Sequence, residues 1–425
     1  MHLSADYWVN KTTASDKILK NQDGIDAFND YAFAHDPNMV NLAGYPEQLS
    51  GEEVASIIQS ISKPYDKDLF YRDGGKLADA DYGRYTASLN LDDLRDTVPI
   101  RFGMVLQRAD MRTWPTEDVV FKSQETFDLD RFQENGLFPA NAVAVLHESE
   151  DGLWYFVQSF NYAAWVQKNK IVIGPRPKIV AYKNAARFLV VTGSKVTTNF
   201  NPHAPAISEL QLDMGVRLPL ADPDTLSDDV DGQNPYASYA VQLPVRNENG
   251  ELDFRTALIA RSQDIYIGYL PYTRRNIIQQ AFKFLGERYG WGHSYNARDC
   301  TGLVSEVYKT VGIFLPRNSS QQGNSPIGEN IRFSADDPTE VKLKALTSVD
   351  VGDLLYSKGH VMLYLGTVDD QPFVIHDLSG SGWTDEDGNY QEGVLNGVSV
   401  TPLMPIHSSQ ESTYFDQMYS IKKIR

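Results

Sequence analysis

The feature that most constrains this chain is a change of period along it. From about Pro99 to Tyr269 the apolar residues come in short β-type runs separated by turn residues: IRFGMVLQR, AVAVLHES, LWYFVQS, AAWVQKNKIVIG, FLVVTGSKVTTNF, VRLPLA, ASYAVQLPVR and TALIARS. After Pro271, TRRNIIQQAFKFLGERYG brings Ile277, Ile278, Ala281, Phe282 and Leu285 to one helical face. A strand turns alternate side chains to opposite faces, whereas a helix returns every third or fourth to the same face. One architecture cannot serve both patterns, so the chain needs an all-β part and a separate mixed part. Its 425 residues also exceed one ordinary core, and two to four domains are expected.

Local signals refine this division. Residues 25–95 read as helices and loops, and GEEVASIIQSI places Val54, Ile57, Ile58 and Ile61 at helical spacing behind Ser50 as N-cap. Glu150-Asp151-Gly152 lies between two strand-like runs and predicts a hairpin. The acidic stretch around 222–233 reads as an exposed loop that lacks a full calcium-loop spacing. In the last third, CTGLVSEVYKTVG predicts a helix starting at Cys300, with Leu303, Val304, Val307, Tyr308 and Val311 buried and Gly312 ending it. The strands VGDLLYS, HVMLYLG, PFVIHDL, GVSVTPL and YFDQMYSIKKI follow, which makes an α+β domain.

Composition excludes several roles. A formal charge of −17 argues against nucleic acid and against simple adsorption to anionic membranes or wall polymers. No apolar run approaches the length of a membrane span. The polar start MHLSADYWVNKTTASDKILK lacks the apolar core of a signal peptide, so the chain is expected to be either cytoplasmic or a mature chain of the periplasm, cell envelope or exterior, and these residues do not choose between the two.

The single cysteine, Cys300, rules out an intramolecular disulfide. It reads either as a small buried hydrophobe or as a nucleophile. Its place at a helix start favours the thiolate and offers main-chain N–H groups as an oxyanion hole. Arg298 either adds positive charge nearby or points to solvent. His360 and His376 lie on predicted strands, and a Cys–His pair with a third polar residue to orient the imidazole is the thiol analogue of the serine triad. His360 would be the general base and His376 the orienter, with Gly359 allowing close approach. The competing readings are structural histidines or a zinc site, for which no fourth ligand has suitable spacing.

At this point the residues resemble a known family. YGWGHSYNARDCTGLVSEVYKTVGIFLPRNSSQQ, VGDLLYSKGHVMLYLG and FVIHDLSG resemble the ordered motifs of the NlpC family of papain-like bacterial cell-wall cysteine peptidases. The resemblance implies catalytic Cys300, His360 and His376, with substrate contacts from Tyr289, Asp299 and Thr301, where serine is commoner than threonine. Arg317, Ser319 and Gln322 are read as a structural loop. ADMRTWPT, FPANAVAVLHESEDGLWYFVQS and NYAAWV extend the resemblance to a subgroup with a stabilising N-terminal segment and two bacterial SH3-like domains. It implies a substrate contact from Tyr162 and an acidic residue that binds a free amine, whose best-aligned position here is Asn141.

The expected fold is therefore multidomain: an α+β papain-like C-terminal peptidase domain (271–425) preceded by two small β-barrel, SH3-like domains (96–175 and 176–270) and a mainly helical or loop N-terminal segment (1–95). The expected activity is that of a peptidoglycan stem-peptide hydrolase cutting the D-γ-glutamyl–diamino acid bond, monomeric, with no cofactor or metal and with stem peptides or muropeptides as partners. The alternatives are a wall-binding SH3-like adaptor and a papain-like amidase or acyltransferase.

Overall fold

The computed structural model describes residues 1–334, 337–385 and 387–425. The chain divides into two compact units, one made of residues 1–39, 269–290 and 296–425, the other of 40–268 and 291–295. Residues 1–95 thus contribute to both.

In the unit of residues 40–268 and 291–295, the helix Gly51–Ile61 starts as its sequence predicts. Ser50 Oγ accepts from Glu53 N at 3.2 Å and Glu53 Oε2 accepts from Ser50 N at 2.8 Å, a reciprocal capping box. Val54 and Ile58 are buried on the inward face. Seven antiparallel strands form the main sheet, in the spatial order Ile171–Ile173, Arg101–Val105, Ala142–Glu148, Trp154–Gln158, Ala163–Gln167, Ala109–Arg112 and Gln133–Leu137. The predicted hairpin joins Ala142–Glu148 to Trp154–Gln158, and Gly152 takes φ 67° in its turn. Trp114, Phe156 and Trp165 lie in the core of this unit.

From residue 188 onward the unit holds a three-stranded sheet, a short pair of strands and the long hairpin Ser238–Arg246 with Leu252–Ala260. A helix at Arg176–Lys183 interrupts what reads as β sequence. Pro177 stands in its first turn, and Ile179 and Tyr182 provide the buried face. In the acidic loop, Asp231 is engaged by Arg255 at 2.9 Å and by Asn201 Nδ2 at 2.8 Å.

The other unit is built on a six-stranded antiparallel sheet, ordered Glu329–Arg332, Met418–Lys423, Leu354–Ser357, His360–Val368, Gln371–Leu378 and Gly397–Pro402. Its central strands are nearly continuously apolar and buried on both faces. The helix Cys300–Lys309 packs on the strands His360–Val368 and Gln371–Leu378. Arg274–Phe282 is a helix capped by Thr273, but it ends three residues before Leu285, and Phe284 rather than Phe282 is the aromatic side chain buried there. Beyond the helix the chain tightens, with Lys283, Phe284 and Leu285 N each donating to the carbonyl three residues back at 3.2 Å, which changes which side chain faces inward before Gly286 leaves at φ 83°.

Residues 1–39 complete this unit. Trp8 is buried and its ring lies 5.5 Å from that of Phe373. Leu19 N donates to Tyr272 O at 2.8 Å, and Asn29 both donates to Gly312 O at 2.8 Å and accepts from Phe314 N at 3.1 Å. Ser325 donates to Asp36. Among the described residues no helix is long and apolar enough to cross a membrane.

Candidate active site

Cys300 is the first residue of its helix and is buried. The preceding residue, Asp299, is the N-cap, and its Oδ1 accepts from Gly302 N at 2.8 Å and from Thr301 Oγ1 at 2.8 Å. Arg317 closes this cluster: its Nη2 donates to Asp299 Oδ2 at 2.7 Å and its Nη1 to Thr301 Oγ1. Asp299 and Thr301 are therefore engaged with one another and with a buried arginine. Gln322, also buried, bonds Ser305 and the Pro316 carbonyl at 3.1 and 2.8 Å, in keeping with the structural reading of that loop.

Arg298 turns neither to the thiol nor to solvent. It is fully buried, donates to Glu306 at 3.1 Å, pairs with Glu287 and lies over the Phe284 ring. Two carboxylates neutralise it, which sequence spacing alone does not reveal.

The two histidines meet. His360 opens its strand, and its Nε2 lies 3.0 Å from His376 Nδ1. His376 Nε2 lies 3.0 Å from Thr401 Oγ1. His376 faces Ser399 across the sheet and Thr401 faces Val374, so Thr401 is the diagonal neighbour on the same face as His376. No local spacing marks Thr401 in the sequence. The Tyr414 ring sits 4.8 Å from that of His360. Gly359 has a different role from the one its sequence suggests: with Lys358 it forms a two-residue hairpin turn at φ 75°, and no atom lies close to where a Cβ would stand.

Burial governs the electrostatics. It pushes the Cys300 thiol up to about 12, helped by the charges of Asp299 and Asp377, while the Val361 main-chain N–H and Arg317 act the other way. It holds His360 well below the usual imidazole range, with His376 adding to the effect, and pushes His376 down to about 3. Tyr289 is buried beside Cys300, Asp299 and Asp377, and its phenol is held neutral well above its ordinary range. Burial thus favours the neutral thiol and the neutral imidazoles over their charged forms. The main-chain N–H groups of Cys300 and Thr301 carry no hydrogen bond among the described residues.

Residues 286–396 match the model of the NlpC/P60 family, and residues 120–167 match an SH3 domain of the SH3b1 type. The chain carries an NlpC/P60 domain. It is the domain of a cysteine peptidase, and Tyr289, Asp299, Cys300, Thr301, His360 and His376 all fall within the matched span. Thr401 lies just beyond it. An NlpC/P60 endopeptidase from Photobacterium damselae subsp. piscicida shares the fold, with a TM-score of 0.77 at 16% identity over 99% of this chain and 96% of that one. Dipeptidyl-peptidase 6 of Lysinibacillus sphaericus is 25% identical over 231 residues, 53% of this chain and 73% of the relative.

Tyr162 and Asn141 belong to the unit that carries the SH3 match rather than the one that carries Cys300. Asn141 Oδ1 accepts from Phe138 N at 3.0 Å and serves a turn, so it is not an acidic recognition group. The Tyr162 hydroxyl instead donates to Glu134 at 2.5 Å, and Glu134 also accepts from Thr113 Oγ1 at 2.5 Å. Glu134 is thus a carboxylate partner of Tyr162 that no motif marks, on a strand paired with Ala109–Arg112.

Proposed function

We propose that this chain is an envelope-acting cysteine endopeptidase that hydrolyses the D-γ-glutamyl–diamino acid bond of peptidoglycan stem peptides, with Cys300 as nucleophile, His360 as general base and His376 as its orienter. The observation that carries the reading is the ordered line Thr401–His376–His360 on strands against which the Cys300 helix packs, with the main-chain N–H of Val361, the residue after His360, at the thiol. Two proton arrangements satisfy that line. In one, His376 Nδ1–H donates to His360 Nε2, which puts the His360 proton on Nδ1. In the other, His360 Nε2–H donates to His376 Nδ1 and His376 Nε2–H donates to Thr401. Only the second leaves His360 Nδ1 bare to take a thiol proton.

The reaction then runs from a neutral pair. As the Cys300 sulfur bonds to the scissile carbonyl carbon, its proton passes to His360 Nδ1. The oxygen of the tetrahedral intermediate gains charge next to the first-turn N–H groups of the Cys300 helix. The C–N bond breaks as His360 returns the proton to the leaving amine of the diamino acid. Water, deprotonated by His360, attacks the thioester; the acid product leaves and the thiol is restored. The diamino acid specificity and the γ-glutamyl linkage come from the family resemblance. For Tyr162 with Glu134, we propose a substrate contact: a phenol and a carboxylate of this kind suit a free ammonium group.

The test is cleavage of L-Ala-D-γ-Glu-meso-diaminopimelate followed by mass spectrometry. The native chain should release L-Ala-D-Glu and the diamino acid, and Cys300→Ala should release neither while keeping the native melting profile. Products from any other bond, or activity retained in the alanine variant, would overturn the reading.

A further inference from the structure

A polar cavity of about 380 Å³ lies wholly within the unit that carries the SH3 match. Its volume falls within the range of small-molecule sites. Its floor is a buried pair: the Arg112 guanidinium bonds Asp130, and its Nη1 also donates to Gln133 Oε1 at 3.2 Å. Arg112 spends its remaining donors on the main-chain carbonyls of Thr116, at 3.3 Å, and Asp118. The floor is therefore rigid and electrically satisfied.

The rim is not. Besides Arg108, which pairs with Asp213, four charged side chains line it: Arg72, Lys170, Asp110 and Glu117. Arg72 lies over the rings of Phe121 and Phe127, at 5.7 and 5.6 Å, and neither it nor Lys170 has a carboxylate partner among the described residues. Asp110 Oδ1 accepts from Gln133 Nε2 at 3.0 Å, and Glu117 Oε1 accepts from Gln167 Nε2. Each carboxylate keeps its second oxygen without a donor among the described residues. An ammonium suits the two carboxylates and a carboxylate the two cations, so a ligand carrying both signs complements the rim better than a ligand of one sign. Trp154 adds an aromatic wall.

We propose that this pocket binds a zwitterionic amino acid end, an ammonium and a carboxylate on one carbon, as presented by the diamino acid of a wall peptide. The choice of a wall peptide rests on the function proposed above; the zwitterionic class rests on the pocket alone. Such a site holds an acidic protein on its polymer by local charge pairing, which its net charge of −17 does not provide.

Calorimetric titration of the full chain with meso-diaminopimelate tests this. The paired variants Arg72→Gln with Lys170→Gln, and Asp110→Asn with Glu117→Gln, should each weaken binding by about tenfold or more, while stem-peptide cleavage stays within about twofold of native. On the native chain, the N-acetylated and the methyl-esterified probes should each bind about tenfold more weakly. Unchanged affinity in both paired variants, or a loss confined to the cation pair or to one blocked probe, overturns the proposal. If a paired variant fails to fold, the blocked probes on the native chain decide. A native chain that binds the probe but cuts no stem peptide leaves the pocket standing and removes the proposed function.

Discussion

Asp377 is the residue whose environment is most at odds with its chemistry. It follows His376 directly, is fully buried, and neither carboxylate oxygen has a hydrogen-bond partner among the described residues. Burial raises its acid to about 9, and the charges of Asp299 and Glu287 push the same way against Arg298. The folded state thus keeps a proton that the unfolded chain releases near pH 4, so the stability of the fold falls as pH climbs from about 4 to about 9, by up to about 1.4 kcal/mol per pH unit. Asp377→Asn removes this titration. Its melting temperature relative to native should rise between pH 5 and pH 8; a difference that is equal at both pH values would show that the carboxyl does not titrate while buried. Nothing local in the sequence announces Asp377. Cys300, His360 and His376 were legible there because helix start, strand and family motif are all short-range patterns. Thr401, Glu134 and the inward turn of Arg298 were not, because each depends on a partner from a separate element.

At the scale of elements, the start of the Cys300 helix is held from outside itself. Asp299 caps it, and Arg317, from the loop after the helix, neutralises that cap in a bidentate pair. Removing one member of a buried pair leaves the other charge uncompensated, at a cost of about 3–5 kcal/mol. Arg317→Met should therefore lower the free energy of unfolding in denaturant titrations by about that amount. A loss below about 1 kcal/mol would mean that the pair does not hold the helix start. The predicted helices and strands of this unit were legible from their periods and caps. The early end of the helix Arg274–Phe282 and the helix Arg176–Lys183 were not, because the first is a tightening of the last turn that leaves the apolar spacing unchanged and the second is a short segment whose apolar residues read equally well as strand.

At the scale of the whole molecule, the chain passes between its two units four times. The unit with Cys300 draws on residues 1–39, whose contacts with it include buried Trp8, the Leu19–Tyr272 main-chain bond, the paired bonds of Asn29 and the Ser325–Asp36 bond. Deleting residues 1–39 should expose the apolar surface under Trp8 and lower the melting temperature by more than about 5 °C, since several buried contacts go at once. Thermal melts of the shortened chain check this, and adding the missing segment as a peptide should recover part of the loss. An unchanged melt would show that these residues are an appendage. The sequence, read in order, suggested consecutive domains. It does not display the return of an early segment to a late one, because such pairing leaves no periodic mark.

One feature of the sheet bears on how the protein is made. The strand Met418–Lys423 is not an edge: it lies between Glu329–Arg332 and Leu354–Ser357 and carries buried Met418, Ile421 and Lys422. During translation the Cys300 helix leaves the ribosome long before that strand does. Until it arrives, the sheet has a gap between Glu329–Arg332 and Leu354–Ser357, where an inner strand belongs. The sheet that carries the proposed site therefore closes only after residues 418–423 have been made, although the Cys300 helix comes more than a hundred residues earlier.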